Sequence, residues 1–302
     1  MDKEWEPTFS AWVDGPGQKE QEKCDHAERA VRTAVANYPG FEGWELTVRA
    51  HGSYRVNTSI KLESDVDVYV QLNTSNFYDD YPIGKTRADF DIIDGTVDYS
   101  DFKNRVGNAL KAQLQGSVTA GDKAFDIREN TYRIDADVIA VLPYRWYSGQ
   151  QNADRSPHYS EGIAFWSASG TKIRSFPEQT YANGVAKNTA TGRRYKRAIR
   201  ILKNLRTYMD EKYKIAEAKG IASYLIECLV WNVLDDNFGD GPYWGDIYRI
   251  LTFLKAQTAS PDNCQTWGEV NEIRYLWDGN QFWTRAQAHA FVNAAWKFLE
   301  FN

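Results

Sequence analysis

The chain has 302 residues, of which 42% are hydrophobic and 25% charged, values of an ordinary folded protein that exclude wholesale disorder. Its formal net charge of -5 is opposite in sign to that of a protein built to track long nucleic acid, so small nucleotides held by a local basic patch are the better-matched anionic ligands. The cysteines Cys24, Cys228 and Cys264 and the histidines His26, His51, His158 and His289 are scattered, with no CxxC pair to suggest a disulfide framework or a zinc site.

Met1 to Ser10 is polar and acidic, without the apolar run of a signal peptide. No stretch reaches the roughly 18 consecutive apolar residues of a spanning helix, so no membrane contact and a cytoplasmic, bacterial setting are expected. Residues 18–38 carry Cys24, Ala27, Val31, Ala34, Val35 and Tyr38 at helical spacing, and Pro39-Gly40 ends the run. Residues 45–50 and 65–72 have the content of strands, with a turn-rich piece starting at Gly52-Ser53 between them. Residues 73–98 are expected to be mostly loop. Phe102, Val106, Leu110 and Leu114 mark a second helix. Residues 131–142 alternate as a strand, 143–160 read as loop, and 162–176 read as a hairpin around Ser169-Gly170. Helices are expected at 192–213, 221–234, 243–257 and 284–299. The predicted fold class is therefore α+β. A mixed-sheet core occupies residues 1–177 and carries the chemistry, a helical lobe occupies 178–302, and the two join near residues 177–191.

Two acidic segments stand out. In Ser64-Asp65-Val66-Asp67-Val68, residues two apart on a strand point the same way, so Asp65 and Asp67 project side by side between apolar anchors. Two such carboxylates repel each other and resist desolvation, and a divalent cation relieves both costs. Arg133-Ile134-Asp135-Ala136-Asp137-Val138 repeats the pattern. Asp137, followed directly by the apolar stretch Val138 to Leu142, is taken as the third ligand, and Asp135 as a solvated or ion-paired neighbour. Three carboxylates from two strands suit two Mg²⁺ ions, with substrate phosphates completing the shells and Mn²⁺ able to substitute. Gly52 allows close backbone approach to a phosphate, and the N–H and hydroxyl of Ser53 can bond its oxygens. On the helix at 192–213, Tyr195, Ile199, Leu202, Leu205 and Met209 form an apolar stripe, while Lys196, Arg200 and Lys203 share another face. In an acidic protein such a basic face fits a triphosphate.

The run HGSYRVNTSIKLESDVDVYV resembles the Gly-Ser and DxD signature of polymerase-β-like nucleotidyltransferases. With Asp137 in DADVIAVLPYR, and with NGVAKNTATGRRYKRAIRILKNLR and IASYLIECLVWN, it looks closest to the CD-NTase family, bacterial relatives of cyclic GMP-AMP synthase, and to its clade E. The resemblance touches roughly residues 45–235. It implies a bilobed fold with the active site in the cleft, and a synthase that joins NTPs (ATP, with UTP or GTP as partners) into a cyclic dinucleotide or oligonucleotide with release of pyrophosphate. It further implies that Lys203 and Ser223 bind the donor triphosphate and that Tyr224 stacks on a nucleobase. From the residues alone, Ser223 reads equally as a helix N-cap and Tyr224 as a core tyrosine. An Asn in the lid-like segment before the basic helix, Asn183 or Asn188, is associated in the clade with accepting a pyrimidine, and an Asn amide has the donor and acceptor to read a base edge. The implied context is anti-phage signalling (CBASS) through a cyclic-nucleotide-activated effector. No Cys/His cluster matches the zinc insertion with which the animal relative engages DNA, which puts that activation mode in doubt. Competing readings are another transferase on the same fold, tailing RNA or adenylylating a small molecule, and a catalytically silent nucleotide-binding regulator.

Overall fold

The computed structural model describes residues 5–61, 65–73, 78–90, 96–130, 133–279 and 281–301. The chain divides into two compact units, and the division is not a single cut at residue 177. Gln18–Tyr54 and Ser64–Pro177 form one, while Met1–Gly17, Arg55–Glu63 and Glu178–Asn302 form the other.

The first unit is built on an eight-stranded sheet. Its strands are β1 (Leu46–Ala50), β2 (Val66–Leu72), β3 (Tyr78–Asp80), β4 (Val118–Ala120), β5 (Phe125–Ile127), β6 (Ala136–Gln151), β7 (Pro157–Trp166) and β8 (Lys172–Ser175). The main path runs β1-β2-β6-β5-β4, and β6 also pairs with β3 and β7. The β2–β6 pairing is parallel, whereas β1–β2, β5–β6 and β6–β7 are antiparallel. Val66, Val68, Val70 and Leu72 of β2 and Ala136, Val138, Ala140 and Leu142 of β6 are buried in one cluster with Val31 and Phe102, Val106 and Leu110. Those last residues come from helices among the ten α-helices of the described residues: Val31 from α2 (Gln18–Ala36), which follows α1 (Glu6–Trp12), and the others from α4 (Tyr99–Leu114), which follows the single turn α3 (Gly52–Arg55). Strand alternation then sends Asp67 and Asp137 to the face away from those helices.

Of residues 143–160, expected as loop, 143–151 and 157–160 are strand and 152–156 are the turn between them. Pro143 reads as a stop, yet it sits in β6 where pairing to β2 has ended at Val141 and pairing to β3 begins at Tyr144, so its missing N–H breaks no ladder on that side. The hairpin around Ser169-Gly170 is present, with Ile163 to Trp166 paired to Ser175 to Lys172 and Gly170 at φ +82°. The expectation for 73–98 falls partly on 74–77 and 91–95, and that for 131–142 partly on 131–132, which lie outside the described residues.

The second unit holds α1, α5 (Pro177–Ala190), α6 (Arg194–Thr207), α7 (Ser223–Trp231), α8 (Tyr243–Thr258), α9 (Pro261–Cys264) and α10 (Arg285–Phe298). Residues 177–191, expected as a join, are helical from Pro177, a residue pre-set for a first helical position. The N-terminal stretch belongs here because Phe9 is wholly buried with Ile199, Leu202, Ile250 and Phe291. Residues 55–63 belong here because the Arg200 guanidinium donates to the Asn57 carbonyl at 2.6 Å and the Thr58 hydroxyl to Glu227 at 2.8 Å. No helix among the described residues is long and apolar enough to cross a membrane.

Candidate active site

Three aspartates stand abreast on neighbouring strands of the first unit. Asp67 of β2 is directly opposite Asp137 of β6, and Asp137 is directly opposite Asp126 of β5. Paired residues of a ladder project to the same face, so the three carboxylates form a row. Asp65 lies one residue before β2, where the next N–H, that of Val66, bonds the Asp135 carbonyl at 3.0 Å. The Asp135 carboxylate accepts the Glu129 N–H of its own loop. The Asp137 carboxyl is pushed above its usual range by partial burial first, then by the charges of Asp126, Asp65 and Asp135. Asp126 was not legible as part of the site, because a single exposed Asp between Phe125 and Ile127 has no signal beyond strand alternation.

The chain turns tightly against this row. The His51 N–H donates to the Asp67 carbonyl at 2.7 Å, and Gly52 follows at φ +60°. A Cβ at Gly52 would lie 1.9 Å from Asp67 Oδ2, so only glycine leaves the carboxylate where it stands. Ser53 comes next, half-buried in α3.

Among the described residues no three Asp, Glu, His or Cys side chains stand at the spacing of a ready-made metal cage. The donor set is nonetheless one for a hard cation: carboxylates in register on adjacent strands. Mg²⁺ and Mn²⁺ take oxygen ligands, and Mg²⁺ commonly binds through one or two carboxylates plus substrate phosphates and water, so the residues fit such an ion.

The remaining candidates lie in the helical unit, and the basic residues of α6 are largely buried. Lys203 is 0% exposed, Lys196 8% and Arg200 9%. Lys203 Nζ is 2.8 Å from Glu227 Oε1, a buried ion pair. Arg200 bonds the carbonyls of Val13 and Asn57 at 2.5 and 2.6 Å, and burial lowers its pKa and that of Lys196. The stripe from Tyr195 to Met209 is buried as expected. Ser223 is the first residue of α7, with Ala222 at the N-cap, so the N-cap alternative does not hold; its hydroxyl accepts from Arg206 at 3.2 Å. Tyr224 is half-buried, its hydroxyl donating to Glu269 at 3.3 Å. Asn183 donates to the Val270 carbonyl at 2.8 Å, whereas Asn188 Oδ1 accepts the Lys196 N–H at 3.1 Å. Reading the sequence missed Glu227 and Glu269. A lone acid inside the apolar run Leu225 to Val230 was the available sign that Glu227 has a buried partner.

Comparison with known proteins agrees along the whole chain. Residues 182–300 match the family model of the cGAS/DncV-like nucleotidyltransferase C-terminal helical domain. The chain is 36% identical to the cyclic dipyrimidine nucleotide synthase CdnE of Legionella pneumophila and 34% identical to that of Cecembia lonarensis, in both cases over 100% of each chain. Among solved structures, the c-UMP-AMP synthase CdnE of Rhodothermus marinus with Apcpp and Upnpp matches with a TM-score of 0.81 at 28% identity, covering 98% of this chain and 97% of that one. The Elizabethkingia meningoseptica CdnE cyclic dinucleotide synthase with GTP and Apcpp matches with a TM-score of 0.78 at 28% identity, covering 98% and 99%.

Proposed function

Since the chain belongs to the CdnE group of the cGAS/DncV-like nucleotidyltransferases, we propose how its residues divide the work of making a cyclic nucleotide. It is a nucleotidyltransferase that links NTPs into a cyclic dinucleotide or oligonucleotide and releases pyrophosphate. Asp65, Asp67 and Asp137 are the residues that would hold two Mg²⁺ ions, which when bound supply neutralisation of triphosphate charge and acidify the attacking ribose hydroxyl. The protein's own part is placement. Gly52 lets the chain pass against Asp67, and the Ser53 N–H and hydroxyl bond triphosphate oxygens. Lys203, Lys196 and Ser223 belong to the triphosphate, and Tyr224 stacks on a base. The ribose oxygen forms a bond to the α-phosphorus, the bond to pyrophosphate breaks, and a second such transfer closes the ring. The observation that carries this reading is the register of Asp67 with Asp137 beside the Gly52 turn.

Each asparagine has one half of its amide engaged, Asn183 through Nδ2 on the Val270 carbonyl and Asn188 through Oδ1 on the backbone of α6, so each keeps its other half for a base edge, and we assign base reading to this pair. Two full-length relatives are named for dipyrimidine products, which supports a pyrimidine NTP among the substrates. The product then serves as a messenger for an effector in anti-phage signalling, made in the cytoplasm where NTPs are available. The test is to incubate the pure protein with all four NTPs and Mg²⁺ or Mn²⁺ and identify the phosphatase-resistant product by mass. A product without a pyrimidine overturns the base assignment, and the absence of pyrophosphate release overturns the assignment of the site.

A further inference from the structure

Glu269 is 3% exposed, in a loop whose neighbours Trp267, Val270 and Leu276 are core residues. A carboxylate in such surroundings is costly unless donors and a counter-charge surround it, and three donors and one guanidinium do. Asn271 Nδ2 donates to its Oε2 at 2.8 Å, the Tyr224 hydroxyl donates to the same oxygen at 3.3 Å, Gln281 Nε2 donates to Oε1, and Arg274 Nη1 stands 3.8 Å from Oε1. Asn271, equally buried, also approaches the Tyr224 hydroxyl with its Nδ2 at 3.4 Å. Its Oδ1 accepts the N–H groups of Ile273 and Arg274 at 2.8 and 3.1 Å, which ties the pair to a loop held by the Glu269 N–H on the Arg274 carbonyl at 2.9 Å. Burial keeps the Glu269 carboxyl above its ordinary range, a sign that these bonds form where water competes little. The far end of Tyr224 is thus gripped by a rigid polar cluster, and Trp283 lies edge-on to its ring at 6.2 Å.

We propose that Glu269, braced by Asn271, is a positioning residue for nucleotide binding: it locks the ring of Tyr224 in the orientation that receives a nucleobase. The inference rests on the reading of Tyr224 as the base platform given above. An aromatic platform held in its bound orientation loses less rotamer freedom on binding, so the tether acts on affinity rather than on the chemical step.

The test varies each of the four NTPs in turn, with Mg²⁺ and pyrophosphate release as the readout, in Tyr224→Ala, Tyr224→Phe, Glu269→Gln and the double variant Tyr224→Phe/Glu269→Gln. Tyr224→Ala is expected to raise KM for at least one NTP by about tenfold or more, as loss of a base stack does. Tyr224→Phe and Glu269→Gln are each expected to raise that same KM about three- to tenfold, the worth of one net hydrogen bond, with kcat within about a factor of two. The double variant should be no worse than Tyr224→Phe alone, because that single change already removes the link to Glu269 together with the Asn271 contact. If Tyr224→Ala raises KM while Tyr224→Phe and Glu269→Gln leave it at the wild-type value, or if the two effects add, the positioning role is wrong and the platform stands. If Tyr224→Ala changes no KM, the platform reading itself fails and this inference with it. Should Glu269→Gln not fold, Tyr224→Phe, which removes only a hydroxyl, decides the question alone.

Discussion

At Gly52, φ is +60° and the space for a Cβ is taken by an oxygen of Asp67. Two costs follow for Gly52→Ala, and their sizes differ. The left-handed backbone costs about 1 kcal/mol in stability. The clash is with the movable end of a side chain, so it is relieved by pushing the Asp67 carboxylate aside, a displacement of a group that has to be placed to within about 0.5 Å. Pyrophosphate release should therefore fall at least ~100-fold while the melting temperature drops by only a few degrees; a variant that melts far earlier yet keeps its activity would contradict the role given to Asp67. Asp137 tells a complementary story. Its carboxyl is raised, so the charged form is the disfavoured one in the folded protein, and the stability tied to it is present at low pH and is lost as pH rises through the raised value. Asp137→Asn carries no charge at any pH. Without metal it should melt at or slightly above the wild-type temperature at neutral pH, and with Mg²⁺ and NTPs it should form no product. Melting curves and product mass, run side by side, separate the two effects.

At the scale of elements, α6 shows how much of a basic run can be buried. Lys196, Arg200 and Lys203 share a face by spacing, and a solvated or phosphate-facing surface is the direct reading. Packing rules out the solvated surface: Lys203 is buried against Glu227 from α7, and Arg200 against the carbonyls of Val13 and Asn57. The partners come from positions far off in sequence, which no local pattern reveals. The same holds for β6, whose length depends on successive partners, β2 and then β3, and for α5, whose residues lack a clear apolar period. By contrast α2, α4 and α8 were legible because their apolar stripes are local. The buried pair makes a sharp forecast. Lys203→Met takes the ion-pair partner from Glu227 and leaves it the Thr58 hydroxyl at 2.8 Å, and loss of one member of a buried pair costs about 3–5 kcal/mol. Adding Glu227→Gln removes that charge, so the double variant should recover part of the loss. Denaturant midpoints for the four proteins test it; strictly additive losses would exclude the coupling.

On the scale of the whole molecule, each unit has its own core, and the helical one draws on three separate stretches of chain. The acidic, polar look of the N-terminus concealed this, although Trp5, Phe9 and Trp12 recur at i, i+4 and i+7 and do form one aromatic face. Glu6 strengthens the attachment, its carboxylate accepting the N–H groups of Tyr243 and Trp244 at 3.0 and 2.7 Å at the start of α8. Phe9 is the anchor, with 0% exposure. Truncating it to alanine removes a buried ring and leaves a cavity, a loss of about 3–5 kcal/mol. If cores rather than chain order define the units, the loss should be confined to one of them: amide exchange in Phe9→Ala should quicken in α6 and α8 and stay at the wild-type rate in β2 and β6. The contrast is informative because β2 lies closer in sequence to Phe9 than α6 or α8 does. Faster exchange in β2 and β6 to the same degree would mean that the two cores unfold as a single cooperative body. The aspartate row would then depend directly on the N-terminal helix, and activity should fall in step with stability as Phe9 is cut to leucine and then to alanine.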